Sequence, residues 1–186
     1  SAKIVVKTEL CNILSKKNAF NRNIMKSIIL VRHGKSIWEF DISDSLRPLK
    51  NRGINDAKLV ANQFIKCSEL PDYIYSSPAV RAFSTCKIFL EVFNLSEDSI
   101  KIKEDLYDFG GESVINFIKS LSNNYNSVMI FGHNHAFTSI ANIFGDKFID
   151  NLPTSGLIKI NFDISDWRDF KQGTTEFIII PKELRA

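Results

Sequence analysis

The chain has 186 residues, long enough for one well-buried domain, and its 44% hydrophobic and 24% charged content is that of an ordinary globular protein. A net charge of +3, with Lys and Arg scattered among Asp and Glu, lacks the basic stripe of a nucleic-acid binder. Cys11, Cys67 and Cys86 are too few and too far apart for a disulfide framework, no run reaches membrane-span length, and the start lacks a secretory-signal pattern, so a cytoplasmic setting with no nucleic-acid or membrane partner is expected.

Residues 1–24, rich in Asn and Lys and weakly periodic, read as an appended segment, disordered or a short helix, ahead of one domain over 25–186. Ser1 in place of an initiator methionine is expected to reflect processing or an added remnant. Ser27-Ile28-Ile29-Leu30-Val31 is an unbroken apolar run that predicts a strand buried on both faces, ending at Arg32-His33-Gly34. A polar loop from Trp38 to Arg52 carries Asp41, Asp44, Arg47 and Pro48 and is closed by Gly53. Ile54, Ala57, Val60, Ala61, Phe64 and Ile65 then follow at helical spacing.

Tyr73-Ile74-Tyr75-Ser76 predicts a short strand, and Ser77-Pro78 an N-cap and first helical position for a helix over 79–93, with Arg81 in its first turn. Ile100-Lys101-Ile102 predicts another short strand and leads to an acidic loop, Glu104 to Glu112; Val114, Phe117, Ile118 and Leu121 mark the next helix. Ser127-Val128-Met129-Ile130-Phe131 ends at Gly132-His133 much as the first strand ends at Arg32-His33, and a helix over 136–144 follows. Two strands, 157–162 and 177–180, joined by a turn-rich connector, complete the chain. Alternation of this kind predicts an α/β fold, a three-layer α/β/α sandwich whose central sheet is mostly parallel, with the last pair as a hairpin-like edge.

All three histidines, His33, His133 and His135, lie just past apolar strands. If those strands are parallel neighbours, His33 and His133 share the crevice at their carboxyl ends, and Arg32 and Arg81 reach the same rim. A lone histidine at a strand end is more often structural. An arginine in a helix's first turn is electrostatically misplaced unless an anion sits there. Two imidazoles and two guanidiniums without a Ser or Cys nucleophile together point to a tetrahedral dianion such as phosphate, whose oxygens suit arginine's planar fork.

Leu30-Val31-Arg32-His33-Gly34-Lys35-Ser36, Arg47-Pro48-Leu49 with Gly53, Ser76-Ser77-Pro78-Ala79-Val80-Arg81-Ala82 and Phe131-Gly132-His133-Asn134 resemble the histidine phosphatase superfamily. The short spacing without an inserted cap, and the Arg-Pro-Leu loop, are similar to its SixA-like phosphohistidine phosphatase branch. The resemblance implies a phosphoglycerate mutase-like fold with no cofactor and no metal, and a phosphorylated protein or small molecule as substrate. It implies His33 as nucleophile, its other ring N–H held by a backbone carbonyl, with Gly34 letting the chain turn close to the ligand. Arg32, Arg81 and His133 would clamp the phosphoryl oxygens, with Arg47 as a further binding residue. Asp108, in Leu106-Tyr107-Asp108, matches the place of the proton donor, with Glu104, Asp105, Glu112 and Asp41 as competitors. His135 stands where the SixA-like pattern commonly has proline.

Two rival readings follow from the same residues. His133 and His135 could ligate a metal with His33 and an acid, although two arginines would repel a dication. A non-catalytic phosphate-binding module is the other, against which His33 counts because a binder needs no nucleophile.

Overall fold

The apolar run forms β1, Lys26–Arg32, in the computed structural model, which describes residues 25–38 and 41–185. The expectations for residues 1–24, and for Cys11 among them, lie outside the described residues. β1 is buried from Lys26 to Val31 because both of its faces are covered. Its side chains alternate between them, as the pleat requires. Ile28 and Leu30 join one core and Ile29 and Val31 the other.

After β1 come α1, Asn51–Cys67; β2, Tyr73–Ser76; α2, Val80–Phe93; β3, Ile100–Ile102; α3, Glu112–Lys119; β4, Ser127–Gly132; α4, Ala136–Phe144; β5, Leu157–Phe162; β6, Thr174–Ile179; and the short α5, Pro181–Leu184. The sheet order is β3-β2-β4-β1-β5-β6. Its first four strands are mutually parallel, whereas β5 runs antiparallel to β1 and β6 antiparallel to β5. The sheet is therefore mostly parallel with an antiparallel edge, and it stands between two helical layers. Ala57, Val60, Ala61 and Phe64 of α1 and Cys86, Phe89 and Leu90 of α2 cover one face. Val114, Phe117 and Ile118 of α3 and Phe137, Ile140 and Ala141 of α4 cover the other, with Trp167 and Phe170 from the connector. No helix among the described residues is long and apolar enough to cross a membrane.

Several local expectations need correction. α1 begins at Asn51, so Gly53 lies inside its first turn instead of closing the loop. The reason is a close approach: a Cβ on Gly53 would lie 2.4 Å from the Lys35 carbonyl oxygen, and one on Gly34 would lie 2.9 Å from the Gly53 carbonyl oxygen. The N-cap of α2 is Ala79, not Ser77, whose hydroxyl accepts from the Ala79 amide but faces inward. β6 starts at Thr174, three residues before the predicted strand, and a short 3-10 turn, Trp167–Asp169, stands in the connector. α2 stops where Asn94 takes the left-handed conformation, φ 56°, a position that asparagine tolerates better than most residues.

Candidate active site

The parallel pairing of β1 with β4 sets Arg32 opposite Gly132, and so carries His33 and His133, the next residue on each strand, to one sheet edge. Their ring centroids are 5.3 Å apart. The His33 amide donates to the Gly132 carbonyl, and Ser155 N–H donates to the His33 carbonyl, which fixes the backbone on both sides.

His33 Nδ1 lies 2.8 Å from the Gly34 carbonyl oxygen. A carbonyl only accepts, so Nδ1 carries the ring proton and Nε2 keeps its lone pair. Burial above all, joined by the charges of Arg81, Arg32 and Arg47, pushes the His33 imidazole down to about 3, against the opposing pull of the Gly34 bond. The ring is therefore neutral at physiological pH. Gly34 serves in another way than expected: its carbonyl orients His33, its amide donates to Thr85 Oγ1 at 2.9 Å, and its missing side chain admits the Gly53 backbone.

His133 is also driven down to about 3, first by burial and then by His33 and Arg81. Its Nε2 lies 2.8 Å from Ser77 Oγ, and its Nδ1 is 3.3 Å from an Arg81 Nη2. Tyr107 and Phe109 pack on its ring at centroid distances of 5.2 and 4.9 Å. Phe109 remains half exposed, which gives the pocket an aromatic wall.

Arg81 is fully buried in the first turn of α2, where a cation alone would be opposed by the helix dipole. The compensating anion is Asp44, from the 3-10 turn Asp44–Leu46. Arg81 Nη2 donates to Asp44 Oδ2 at 2.7 Å, and Nη1 donates to the Asp44 backbone carbonyl. Tyr107 donates its hydroxyl to the same Oδ2 at 2.6 Å, and Arg47 Nη2 stands 2.7 Å from Oδ1. Burial pushes the Asp44 carboxyl up, but the bonds from Tyr107 and Arg81 and the charges of Arg81 and Arg47 outweigh it and hold it below the usual carboxylate value.

Arg47 is buried beneath Trp38, whose ring centroid lies 3.7 Å from the guanidinium carbon. Arg32 Nη1 donates to the Leu152 carbonyl at 2.7 Å and to Asn151 Oδ1 at 3.3 Å, so the turn before β5 aims it. Four buried side-chain polar atoms lack a partner among the described residues, and three of them are Arg32 Nε, Arg47 Nη1 and Arg81 Nε. Unsatisfied buried donors are costly, and three guanidiniums whose charges all reach His33 make a ready set of anion donors.

Asp108 has a different occupation from the one expected. Its Oδ1 accepts from the Gly110 amide at 2.8 Å, and its Oδ2 accepts from the amides of Gly111, Ser113 and Val114 at 2.9, 3.0 and 3.3 Å. Those bonds satisfy the free amides at the start of α3 and bind the carboxylate there. The carboxylate that reaches the arginines is Asp44. Sequence carried one hint of it, the three-residue spacing from Arg47, but not which acid of that loop meets Arg81. Ser77, Tyr107 and Phe109 were likewise found only by folding.

For metal binding the site is poorly made. Among the described residues no three His, Cys, Asp or Glu side chains group as a cation cage. Both ring nitrogens of His133 are engaged by Ser77 and Arg81, and His135 stands apart at the N-cap of α4.

Residues 28–112 match the family described as "Histidine phosphatase superfamily (branch 1)". An uncharacterised chloroplastic protein of Arabidopsis thaliana is 28% identical over 136 residues, 68% of this chain and 62% of the plant protein. An uncharacterised protein of Mycobacterium tuberculosis is 23% identical over 158 residues, 80% of this chain and 96% of its own length. A 2,3-bisphosphoglycerate-dependent phosphoglycerate mutase of Methanococcus vannielii is 29% identical over 104 residues, 48% of this chain and 41% of that one. Among solved structures, the protein histidine phosphatase SixA complexed with tungstate superposes with a TM-score of 0.72 at 22% identity, covering 86% of this chain and 99% of that one. A putative phosphohistidine phosphatase SixA from Agrobacterium tumefaciens gives 0.71 at 23% identity, covering 84% and 98%. These two likenesses confirm the fold.

Proposed function

From the match of residues 28–112 to the histidine phosphatase superfamily, we propose that the chain is a phosphatase of that superfamily and hydrolyses a phosphoryl group through a phosphohistidine intermediate on His33. The observation that carries this reading is the pairing of a neutral His33, its Nε2 lone pair free, with three arginines that each keep a buried, unpartnered N–H.

Nε2 of His33 attacks phosphorus as the bond to the leaving group breaks, and the leaving group departs with that bond's electron pair and takes up a proton. Arg32 and Arg81 hold the equatorial oxygens, with Arg47 as a lesser donor, and these guanidinium charges are already fixed in place by the fold rather than gathered from water. A water then attacks phosphorus, the P–N bond breaks, and its electron pair returns to Nε2 as inorganic phosphate leaves. The mouth of the pocket is open enough for that water, since the Asp44 side chain is 44% exposed.

In our reading the proton donor is Asp44 rather than Asp108. A phosphoryl oxygen that takes the carboxylate's place on Arg81 removes the cation that keeps Asp44 ionised and adds a like charge beside it. Both changes favour the protonated form that a donor requires. The substrate is protein phosphohistidine or a small phosphorylated compound. The fold shared with protein histidine phosphatase SixA supports the first, and an open pocket suits either.

The test is a rapid quench without acid during turnover of a phosphoester or phosphoramidate, followed by peptide mass spectrometry. Acid-labile phosphate on the peptide bearing His33, and loss of turnover in His33→Ala, are expected. Full turnover in His33→Ala would refute the reading. A pure protein that binds phosphate without turning over any substrate would mark a binding module instead.

A further inference from the structure

His133 faces a difficulty that its own geometry exposes. A neutral imidazole has one N–H and one lone pair. Arg81 Nη2, which can only donate, lies 3.3 Å from Nδ1, so Nδ1 is the acceptor and Nε2–H donates to Ser77 Oγ at 2.8 Å. In that state His133 has no N–H to offer the anion pocket, and Nδ1 turns a lone pair toward any anion that takes Arg81 Nη2 from it. A phosphoryl oxygen there would meet repulsion. Taking up a second proton would solve this, but burial and the neighbouring cations push His133 strongly toward neutrality.

Ser77 offers another solution. It is fully buried, and its hydroxyl oxygen accepts from the Ala79 amide at 3.3 Å as well as from His133. Among the described residues no other side chain bonds His133 Nε2. A hydroxyl can turn from acceptor to donor without moving its oxygen, which a carbonyl, a carboxylate or an amide N–H cannot do. The backbone bond from Ala79, at the start of α2, keeps that oxygen in place through the change.

We infer that Ser77 is a tautomer switch for His133. With Asp44 on Arg81, Ser77 accepts from Nε2–H and Nδ1 accepts from Arg81. When a phosphoryl group displaces Asp44 and draws Arg81 Nη2 off Nδ1 onto its own oxygen, the Ser77 O–H donates to Nε2 and the ring proton relocates to Nδ1, from which it donates to a phosphoryl oxygen. Water carries one proton from Nε2 to Nδ1, so the ring stays neutral and no net proton is taken up. Ser77 is thus a positioning residue that acts through His133, and its role rests on the phosphoryl-binding reading given above.

Nitrogen-15 NMR of the labelled full chain decides this, because the sequence has only three histidines. Titration with inorganic phosphate is expected to move the neutral His133 pattern from Nε2–H to Nδ1–H, with His33 remaining Nδ1–H. Phosphate that binds and perturbs His33 while His133 stays Nε2–H, or becomes doubly protonated, overturns the switch and leaves the functional reading standing. Absence of any phosphate binding overturns both. In Ser77→Ala the phosphate dissociation constant is expected to rise about tenfold, the loss of one hydrogen bond to a charged group, with Ser77→Thr restoring it. An unchanged constant and an unchanged His133 pattern in a folded Ser77→Ala protein also overturn the switch.

Discussion

Asp44→Asn separates the two tasks that the pocket gives to one carboxylate. In the ligand-free protein Asp44 is an internal anion on Arg81, 2.7 Å away, with Arg47 at the same distance from its other oxygen. A charge-assisted bond to a buried arginine is worth about 1.5–3 kcal/mol. Asp44 is 44% exposed, so solvent screening reduces its hold to about 0.5–1 kcal/mol. Neutralising it is therefore expected to tighten inhibition by inorganic phosphate by about two- to fivefold. The same change removes the group proposed as the proton donor. Turnover of alkyl phosphates, whose alkoxide leaving groups need a proton, is expected to fall by about 10²–10⁴-fold. Turnover of a nitrophenyl phosphate, whose leaving group is stable as an anion, is expected to change only a few-fold. Steady-state kinetics on the two substrates, with phosphate as competitive inhibitor, measures all three quantities. Equal losses on both substrates with phosphate inhibition unchanged would refute both the competition and the donor assignment.

Arg81→Ala is expected to lower kcat/KM by about 10²–10³-fold, the usual cost of one donor to a transition-state oxygen, whereas Arg47→Ala, which leaves Arg81 and His133 in register, should lose about tenfold or less. Comparable losses on a common phosphoester would mean that the clamp is wrongly apportioned. Stability should also report the two imidazoles. Their folded values near 3 lie below the ordinary 6.5, so the unfolded chain binds protons that the folded one does not, and their stabilisation is complete above pH 6.5 and lost as pH falls toward 3. The slope in that window is up to about 1.4 kcal/mol per pH unit for each histidine. Urea unfolding between pH 7.5 and 5 should show it, with a shallower slope in His33→Ala; a flat profile would contradict the buried neutral pair.

The sequence by itself determined the frame. Runs such as Ile28–Val31 and Val128–Phe131 are apolar at every position, and only a strand covered on both faces can use such a run, so β1 and β4 and the crevice beyond them were legible. Each ends at a histidine, and Arg81 stands in a helix's first turn where only an anion justifies it, so three of the pocket's residues were visible as well. Helix starts were less so. Ser77-Pro78 has the pattern of a cap, but Ser77 turns inward to His133, since a buried imidazole nitrogen needs a partner more than an amide near solvent does.

Tertiary structure decided the acid and the supports. Asp108 and Asp44 are both loop carboxylates, and nothing local tells them apart. One is captured by the free amides of α3, the other is carried by its loop across to Arg81, 37 positions away. Gly34 and Gly53 likewise gain their meaning only from each other, because the contact that forbids a side chain at either is a backbone approach between segments 19 residues apart. Periodicity reports which face of an element is buried. Which long-range partner a polar group finds depends on the paths of the loops, and those the packed fold alone sets.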